Sequence, residues 1–250
     1  MPATLPKFLL VTPVWNDSVR LEHFGIELAK VLAVSDLNIT WVIADDGSDT
    51  EEVVQLERLK EKFSQIYSDV LLHLHPERSF KGGAIYQSWQ QFPDVDYYAF
   101  VDADGAVSAP ELMRMLNCAS DSENLDMSFV AVRHFSGSLT VDRSLLRKAT
   151  FHFFRILVRG IVGLKSMDTQ CGAKVISGRS YRAVSERLVE DGFVFDVELL
   201  TTLEQGAWPI TELPIMWQEI PGSKLRLWRD LWFMTGGLMR IRRRLNTSDL

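Results

Sequence analysis

The feature that most constrains the fold of this sequence is a regular alternation of short apolar runs and helical patterns over residues 1–130. The apolar runs lie at residues 8–11, 40–44, 70–72 and 97–101. Apolar residues at helical spacing follow at 21–34, 51–63 and 84–92, and a fourth helix is expected to start at a capping-box pattern of Ser108, Pro110 and Glu111. Four strand–helix units predict an α/β fold with a Rossmann-like, mostly parallel sheet flanked by helices.

The alternation weakens beyond residue 130, although the composition stays that of a folded protein. Hydrophobic residues make up 46% and charged residues 24% of the 250 residues, which is ordinary for a globular chain. A further strand is predicted at 128–132 and an arginine-rich helix at 143–164, whereas 173–217 mixes both patterns. We expect one domain over residues 1–224, with halves at 1–130 and 131–224, followed by a basic amphipathic helical segment at 225–250.

Cysteine usage and hydropathy limit where such a chain can work. Its two cysteines, Cys118 and Cys171, are too few for a disulfide framework or a thiolate metal site, which favours a reducing cytoplasm. Residues 1–7 are polar and interrupted by proline, and the apolar run after them is too short for a secretory signal. Because no uninterrupted run of about 18 apolar residues is present, no membrane-spanning helix is predicted.

The net charge of −6 conceals two strongly basic segments. Residues 133–165 contain seven Lys and Arg against one Asp, and residues 224–244 contain the same numbers, so each segment carries +6 and the rest of the chain −18. Both segments also contain aromatic residues, a pattern suited to an anionic surface or ligand. Because the body is acidic and no known nucleic-acid module is present, nucleic-acid binding is not expected.

Acidic residues follow three of the four apolar runs, where a parallel sheet presents its ligand-binding edge. Asp102 and Asp104 stand two residues apart after the fourth run. Two such carboxylates can hold Mg²⁺ or Mn²⁺ on a diphosphate. The alternative is a solvated turn that caps the following helix.

Asp45 and Asp46 follow the second apolar run. Their carboxylates could accept hydrogen bonds from a base and a ribose, or they could serve only a turn in which Gly47 supplies a positive φ. Lys81 and Gly82 precede the third helical pattern, where a lysine and backbone N–H groups could bind phosphate. A simple loop at a helix start is the alternative for these two residues.

Several segments, taken in order, resemble the family 2 glycosyltransferases, which have the GT-A fold. Within that family the chain is similar to dolichyl-phosphate glucosyltransferases and mannosyltransferases. The segments that carry the resemblance are Thr12-Pro13-Val14-Trp15-Asn16, Asp45-Asp46-Gly47-Ser48, Lys81-Gly82-Gly83, Asp102-Ala103-Asp104, Asp168-Thr169-Gln170-Cys171-Gly172-Ala173-Lys174, Phe195-Asp196-Val197-Glu198-Leu199-Leu200 and Trp217-Gln218-Glu219-Ile220-Pro221-Gly222-Ser223-Lys224. Their occurrence together over nearly the whole chain is far more specific than any one of them.

The resemblance implies roles for individual residues. The metal ligands would be Asp102 and Asp104, and the catalytic residues would be Asp168, Gln170 and Asp196. The nucleotide sugar would be bound by Pro13, Asn16, Asp45, Asp46, Lys81, Gly82 and Asp102. The first half of the domain would then be the nucleotide-sugar half and the second the acceptor half.

The residues in the second half of the chain could also have purely structural roles. Asp168 and Gln170 could be a helix cap and a surface amide. Asp196 and Glu198 could lie on the exposed face of an amphipathic helix whose apolar face contains Phe195. Residue patterns alone favour these explanations, whereas the resemblance favours the functional ones.

The resemblance further implies inverting transfer of a hexose, from UDP-glucose rather than GDP-mannose, to a polyisoprenyl phosphate. Such an acceptor carries between one and two negative charges near pH 7, so a strong general base is optional but cations are required. Arg133, Ser223 and Lys224 are the candidate acceptor-phosphate ligands, the last two in a loop that could close over the site. A surface ion pair is the alternative for either cation.

Residues 151–164 and 225–245 mix aromatic residues with arginines, as interfacial helices do. Each basic residue near an anionic leaflet contributes about 1 kcal/mol, so we expect a cytoplasmic protein that is peripheral at the cytoplasmic membrane face. The alternatives are a core helix with snorkelling arginines for the first segment and a dimer contact for the second. The oligomeric state is left open.

Two other functions are compatible with these residues. One keeps the fold and gives the transferase a saccharide acceptor, for which the basic segments would be less necessary. The other is a non-catalytic, nucleotide-binding protein recruited to a membrane, although the intact Asp102, Asp104, Asp168 and Gln170 argue against it. Dolichyl-phosphate enzymes often carry membrane helices that are not predicted here, so sugar transfer is a firmer expectation than a lipid acceptor.

Overall fold

The computed structural model describes residues 5–134, 143–166, 168–218, 220 and 227–247. Its strands are β1 (Lys7–Val14), β2 (Asn38–Asp45), β3 (Val70–Leu74), β4 (Tyr97–Val101), β5 (Ser128–His134), β6 (Ala173–Ser177) and β7 (Ile210–Met216). They form one seven-stranded sheet in the order β3-β2-β1-β4-β6-β5-β7. β1 pairs in parallel with β2 and β4, as do β2 with β3 and β5 with β7, whereas β6 runs antiparallel to β4 and β5.

Helices connect the strands and cover both faces of the sheet. They are α1 (Ser18–Ala33), α2 (Thr50–Ser64), α3 (Phe80–Gln90), α4 (Ala109–Ser120), α5 (Arg143–Val162), α6 (Gly178–Val184), α7 (Phe195–Gln205) and α8 (Leu227–Thr247), with a 3₁₀ turn at Ser185–Arg187. The predicted mostly parallel sheet with flanking helices is confirmed, and the predicted C-terminal segment contains a helix.

The central strands are buried on both faces because helices lie on each side of them. Phe8 and Leu10 of β1 belong to the core that α1, α2 and α4 cover, while Leu9 and Val11 belong to the core that α3, α6 and α7 cover. This division follows from the two-residue period of a strand. A strand buried on both faces needs no polar alternation, which explains the continuous apolar run in the sequence.

The predicted elements of the first half agree closely with the observed ones. β4 has the predicted bounds, and the other three predicted strands each lie within an observed strand. α4 begins after Ser108, whose hydroxyl accepts a hydrogen bond from the Glu111 N–H at 3.4 Å. This contact is the one that the capping pattern predicts.

α3 starts earlier than the helical spacing indicates. It begins at Phe80 rather than near residue 84, so Lys81, Gly82 and Gly83 lie in its first turn. Consecutive glycines have low helix propensity, which concealed this start in the sequence. They are required by close packing, because a Cβ on Gly82 would lie only 2.4 Å from the Cβ of Phe195.

A third apolar cluster forms where α5 and α8 pack together beside β5 and α7. Its helical members include Phe154, Val158 and Val162 of α5 and Leu238, Ile241 and Leu245 of α8. One face of α5 is thus a core face, as the alternative for the first basic segment supposed, while Arg155 and Arg159 are exposed on the other. Within the described parts of the chain, none of the helices combines the length and the hydropathy needed to cross a bilayer.

Candidate active site

The carboxyl ends of β1, β2 and β4 meet at one edge of the sheet, as parallel pairing requires. Pro13 lies near the end of β1, and Asn16 follows it with a φ of 47°. The Asn16 N–H donates to Ser48 Oγ at 2.8 Å. Its side-chain amide donates to Asp49 Oδ2 at 3.1 Å and accepts from the Asp49 N–H at 2.9 Å. Asn16 therefore joins the loops that follow β1 and β2.

Asp45 and Asp46 lie buried at the end of β2. Asp45 accepts hydrogen bonds from the Ser48 N–H at 3.2 and 3.3 Å, and Asp46 accepts from the Ser79 N–H at 2.6 Å. Burial raises the pKa of Asp46, although its hydrogen bonds with Ser79 oppose the shift. Gly47 has a φ of 68°, so the turn proposed for this segment is present. Nucleotide binding by the two carboxylates stays a prediction.

A flat surface beside Asp46 was not predicted from the sequence. The guanidinium carbon of Arg78 lies 3.4 Å from the centre of the Trp15 ring and 5.1 Å from that of Phe80. Arg78 Nε lies 3.7 Å from Asp46 Oδ2. Stacked planar groups of this kind can bind the face of a nucleobase. The sequence signal was Trp15, directly after β1, whereas no spacing marks Arg78.

Asp102 and Asp104 follow β4, and each faces a cation. Lys81 Nζ lies 2.5 Å from Asp102 Oδ1, and Arg20 Nη1 lies 3.7 Å from Asp104 Oδ2. Burial raises the pKa of Asp104, and the charge of Asp102 raises it further. Burial lowers the pKa of Lys81, but the charges of Asp102 and Asp196 outweigh this effect and leave that pKa raised. Negative charge is therefore concentrated at this corner, where cations offset it.

These two carboxylates fit a divalent cation that is shared with a diphosphate. The side chains of Asp102 and Asp104 are 32% and 28% exposed, so both are accessible at the sheet edge. Gly172 leaves space for one of them, because a Cβ there would lie 2.4 Å from Asp102 Oδ2. The described residues contain no group of three or more His, Cys, Asp or Glu placed to hold a metal. Phosphate oxygens and water would therefore complete the coordination, as is usual for Mg²⁺.

The backbone N–H groups in the first turn of α3 are used within the protein. Gly82 donates to the carbonyl of Asp191 at 2.7 Å, and Gly83 donates to the same carbonyl at 3.2 Å. The prediction that N–H groups here would bind phosphate is therefore not supported, because a protein carbonyl already accepts from them. Gly82 instead permits the close approach of Phe195, and Lys81 remains the predicted phosphate ligand.

Arg133 of β5 forms a buried ion pair with Asp168. Arg133 Nε lies 2.7 Å from Oδ2 and Nη2 lies 2.8 Å from Oδ1 of the carboxylate. The two side chains are 16% and 1% exposed, which excludes the surface ion pair considered for Arg133. Burial lowers the pKa of Arg133, but Asp168 outweighs this effect and leaves it raised. The guanidinium carbon also lies 5.5 Å from the centre of the Trp217 ring.

Asp196 lies in the first turn of α7 and is 3% exposed. The exposed helix face considered for Asp196 and Glu198 is therefore wrong, because other elements pack around this part of α7. Lys174 Nζ lies 3.5 Å from Asp196 Oδ2, and Gln170 Nε2 donates to Asp196 Oδ1 at 3.0 Å. Burial raises the pKa of Asp196, and the charges of Lys174 and Lys81 oppose the shift.

Lys174 ends the segment 168–174 that carries the family resemblance, and the sequence predicts no role for it. The side chain is fully buried, at 0% exposure. Its Nζ donates to the carbonyls of Thr169 at 2.8 Å and Cys171 at 3.0 Å. Burial also raises the pKa of the Cys171 thiol to about 12. Lys174 therefore holds the segment 168–171 against Asp196.

The predicted residues after β4 and those in the segment before β6 meet at the sheet edge. The Asp102 N–H donates to the carbonyl of Gly172 at 2.9 Å, which joins the end of β4 to the segment before β6. Lys81 Nζ lies 5.1 Å from the centre of the Phe100 ring and 5.7 Å from that of Phe195. Ser223 and Lys224, the other predicted acceptor-phosphate ligands, lie outside the described residues.

Comparison with known proteins identifies the family. The family model described as Glycosyl transferase family 2 matches residues 10–182. The dolichyl-phosphate beta-glucosyltransferase of Saccharomyces cerevisiae is 31% identical over 248 residues, and the match covers 93% of this chain and 73% of that protein. The protein of the same name from Dictyostelium discoideum is 31% identical over 243 residues, with coverage of 93% and 73%.

Solved structures are similar in fold. Glucosyl-3-phosphoglycerate synthase from Mycobacterium tuberculosis, in complex with Mn²⁺, UDP and glucosyl-3-phosphoglycerate, matches with a TM-score of 0.65 at 14% identity and covers 94% of this chain and 78% of its own. A mannosyltransferase from Pyrobaculum calidifontis, in complex with GDP-Man and Mn²⁺, matches with a TM-score of 0.57 at 12% identity and coverage of 94% and 62%. At these identities the likeness shows the fold alone, which is the predicted GT-A fold.

Proposed function

Because the chain belongs to glycosyl transferase family 2, we propose that it transfers a hexose from a nucleotide sugar to a polyisoprenyl phosphate. The observation that carries this proposal is the buried Arg133–Asp168 pair, whose guanidinium also interacts with the charge of Asp196. The names of the similar proteins from yeast and Dictyostelium support glucose as the sugar and dolichyl phosphate as the acceptor class. UDP-glucose is therefore the proposed donor, in preference to GDP-mannose.

The donor would lie along the ends of β1, β2 and β4. Trp15 and Arg78 offer flat surfaces for the base, and the buried Asp45 and Asp46 are the proposed acceptors of hydrogen bonds from base and ribose. Lys81, which reaches Asp102 from the first turn of α3, is placed to pair with a diphosphate oxygen when the donor is bound.

Asp102 and Asp104 would hold Mg²⁺ or Mn²⁺, and the bound cation would supply charge stabilisation to the departing diphosphate. The Mn²⁺ named in both similar solved structures supports this assignment. Lys81 and Arg20 balance the two carboxylates in the protein, so a bound cation would compete with these two side chains for the carboxylate oxygens. Metal dependence of the transfer follows from the proposal and can be measured directly.

The reaction would be a single displacement at the anomeric carbon. A bond forms from an acceptor phosphate oxygen to this carbon while the bond from the carbon to the diphosphate oxygen breaks. One displacement inverts an α-linked donor to a β-linked product, in agreement with the beta linkage in the names of the relatives. Because the phosphate oxygen is already anionic, Asp168 and Asp196 are assigned to orientation rather than proton removal.

Arg133 is the proposed cation for the acceptor phosphate. Asp168 holds its guanidinium on one side, and the Trp217 ring lies 5.5 Å from the guanidinium carbon. A guanidinium fixed in this way is oriented before the acceptor arrives, so less entropy is lost on binding. Ser223 and Lys224 remain proposed ligands of the same phosphate.

A membrane face is proposed on α5 and around Phe233 of α8. Phe153 and Ile156 of α5 are 49% and 67% exposed, and Phe233 of α8 is 67% exposed. Arg155 and Arg159 are exposed on the same helix as the first two. Exposed apolar side chains beside arginines suit the headgroup region of an anionic bilayer. We assign the protein to the cytoplasmic face of such a membrane as a peripheral enzyme.

The test is transfer from radiolabelled UDP-glucose or GDP-mannose to a short polyprenyl phosphate, followed by extraction into organic solvent. We expect labelled lipid from UDP-glucose, and we expect EDTA to abolish it. Arg133→Lys should raise the KM for the lipid phosphate because an ammonium lacks the planar fork. Arg179→Lys is the matched control, since Arg179 pairs with Asp126 at the exposed surface.

Each other outcome of this experiment selects a different function. Labelled lipid from GDP-mannose alone would keep the acceptor and replace the donor. Donor-dependent release of diphosphate without labelled lipid would favour a saccharide acceptor. Tight nucleotide binding with no turnover on any acceptor would favour the non-catalytic alternative.

A further inference from the structure

A second cluster of charged side chains lies between α8 and residues 189–194, the segment that precedes α7. Glu190 and Glu198 are buried, at 5% and 2% exposure. Arg240 donates to the two carboxylate oxygens of Glu190 at 3.0 and 2.6 Å. Arg244 Nη2 donates to Glu190 Oε1 at 2.7 Å and to Glu198 Oε1 at 2.5 Å. Two arginines of α8 therefore bind two carboxylates that the solvent hardly reaches.

One of these carboxylates, that of Glu198, also binds the backbone of the 189–194 segment. Glu198 Oε2 accepts from the Val189 N–H at 2.8 Å and from the Glu190 N–H at 2.6 Å. α8 also approaches the end of the segment closely, because a Cβ on Gly237 would lie 2.5 Å from Val194 Cγ2. Charge-assisted hydrogen bonds of this kind are among the stronger ones in proteins. Both ends of the segment are thus held from the side of α8.

The other side of the 189–194 segment contacts the active site. The carbonyl of Asp191 accepts from the N–H groups of Gly82 and Gly83, directly after Lys81. The carbonyl of Phe193 accepts from Gln170 Nε2 at 3.2 Å. The first N–H groups of a helix have no partner within the helix, so the Asp191 carbonyl determines where α3 starts. The position of Lys81 therefore depends on that of the segment.

Packing alone does not hold the segment in place. A cavity of about 230 Å³, bordered by Glu198, Thr202, Ile241 and Arg244, lies in the contact between α7 and α8. α7 and α8 share the third apolar cluster, but apolar contacts are missing where the cavity lies, so the ion pairs there supply a link that packing does not. Burial raises the pKa of Glu190, but Arg240 and Arg244 outweigh this effect and leave it lowered, so both carboxylate and arginines stay charged.

We infer that Arg240 and Arg244 are positioning residues for the transfer reaction, which fix the 189–194 segment through Glu190 and Glu198 and thereby place Lys81 and Gln170. This inference rests on the proposed function for the reaction that is positioned. α8 is then part of the scaffold of the donor site, in addition to any contact that it makes with a membrane. Loss of these ion pairs should therefore loosen the start of α3, which contacts the opposite side of the segment.

The direct test is hydrogen–deuterium exchange at the amides of Gly82 and Gly83 in the ligand-free full chain. In Arg244→Gln we expect these amides to exchange faster, because the carbonyl that accepts from them is no longer held. Arg187→Gln is the matched control. Arg187 borders the same cavity and donates to Gln205 Oε1 at 3.2 Å, without belonging to the cluster.

Kinetics in detergent, without vesicles, test the consequence for the reaction. Arg244→Gln should raise the KM for UDP-glucose and the Kd for UDP with Mn²⁺ by about tenfold, with a smaller change in the KM for the polyprenyl phosphate. Arg244→Lys should recover part of the loss, since an ammonium can also reach both carboxylates. A purely structural role would instead lower the melting temperature and the active fraction without changing either KM.

The outcomes separate this inference from the proposed function. Unchanged exchange at Gly82 and Gly83 in folded Arg244→Gln, together with an unchanged KM for UDP-glucose, overturns the positioning role. If Arg244→Gln does not fold, Glu198→Gln removes one of the two ion pairs of Arg244 with little change of shape and is measured in its place. Wild-type protein that transfers no hexose to a polyprenyl phosphate contradicts the proposed function, while amide exchange still decides whether α8 positions α3.

Discussion

The donor side of the site and its acceptor side are built in different ways. On the donor side, at the ends of β1, β2 and β4, the functional side chains lie within a few residues of a buried strand, and hydrogen bonds between neighbouring loops hold them. On the acceptor side, around β5, β6 and α7, buried ion pairs hold the functional side chains. Arg133 pairs with Asp168, and Lys174 pairs with Asp196.

This difference has an energetic consequence. Asp102 and Asp104 are partly exposed, and the side chains that balance their charge are exposed as well, so solvent screens their interactions. Asp168, Lys174 and Asp196 are almost completely buried, so removal of one partner leaves an uncompensated charge in the interior. We therefore expect substitutions of Asp102 and Asp104 to affect turnover alone, and those of the buried pairs on the acceptor side to affect stability as well.

The largest effect is expected for Asp104→Ala, which should lower kcat/KM by about 10³-fold while leaving the fold intact. Loss of this carboxylate removes half of the proposed metal site. Burial and Asp102 raise the pKa of Asp104, so removal of its charge should not destabilise the protein through lost electrostatics. Transfer at increasing Mn²⁺ and the thermal melting temperature measure the two effects.

Asp126→Ala is the control for this substitution, because Asp126 is an aspartate that pairs with Arg179 at the surface. Turnover of Asp104→Ala equal to that of the wild type would remove the metal assignment. A large fall in melting temperature would show that Asp104 also stabilises the fold, which contradicts the expectation that its substitution affects turnover alone.

Lys174→Met should lower the free energy of unfolding by about 3–5 kcal/mol, since the buried carboxylate of Asp196 loses its cation. Urea denaturation measures the change. Arg179→Met breaks the exposed pair with Asp126 and should cost about 0–1 kcal/mol. Similar losses of unfolding free energy in the two variants would show that the buried pair stabilises the protein no more than the exposed pair does.

Ile156→Ser should weaken binding to phosphatidylserine-containing vesicles by about tenfold, because an exposed isoleucine beside arginines would enter the interface. Val34→Ser is the matched control, since Val34 is 82% exposed but lies at the end of α1, on the donor half. Vesicle sedimentation measures both variants. Equal binding of Ile156→Ser and the wild type would remove α5 from the proposed membrane face.

The pH dependence of turnover tests the role of Asp196 on the acceptor side. Burial raises the pKa of Asp196 above its ordinary 3.8, so the acid limb of kcat/KM should lie above pH 3.8 if its carboxylate orients the substrates. A raised pKa means that the folded carboxyl binds its proton more tightly than the unfolded one. Its contribution to stability is therefore largest below pH 3.8 and is lost as the pH rises through the folded-state pKa.

Lys174→Met should move this acid limb to higher pH, because the charge of Lys174 is the largest effect that opposes the shift. The pH profiles of kcat/KM for the wild type, Lys174→Met and Asp196→Asn provide the comparison. An acid limb that stays in place in Asp196→Asn would show that another group produces it.

The predictable part of the site follows from local rules. Ligands meet parallel sheets at the carboxyl ends of strands, so Asp45, Asp102 and Asp104 could be found from the apolar runs before them. Asp168, Gln170 and Asp196 could be found only through the resemblance to a family, because no spacing rule connects them. Their burial, and the role of Lys174 between them, could not be predicted, since the partners are distant in the chain and a lone charged residue suggests the surface.

The sequence by itself determined the parallel half of the sheet, the family and the identities of the acidic residues, because strand periodicity and residue order are local properties. Tertiary structure alone decided that the N–H groups of Gly82 and Gly83 serve the carbonyl of Asp191, and that two arginines of α8 bind Glu190 and Glu198. Both contacts join elements that the chain separates widely. The physical reason is that the partner of a buried polar group is determined by which surfaces pack together, and packing is settled only when the whole chain has folded.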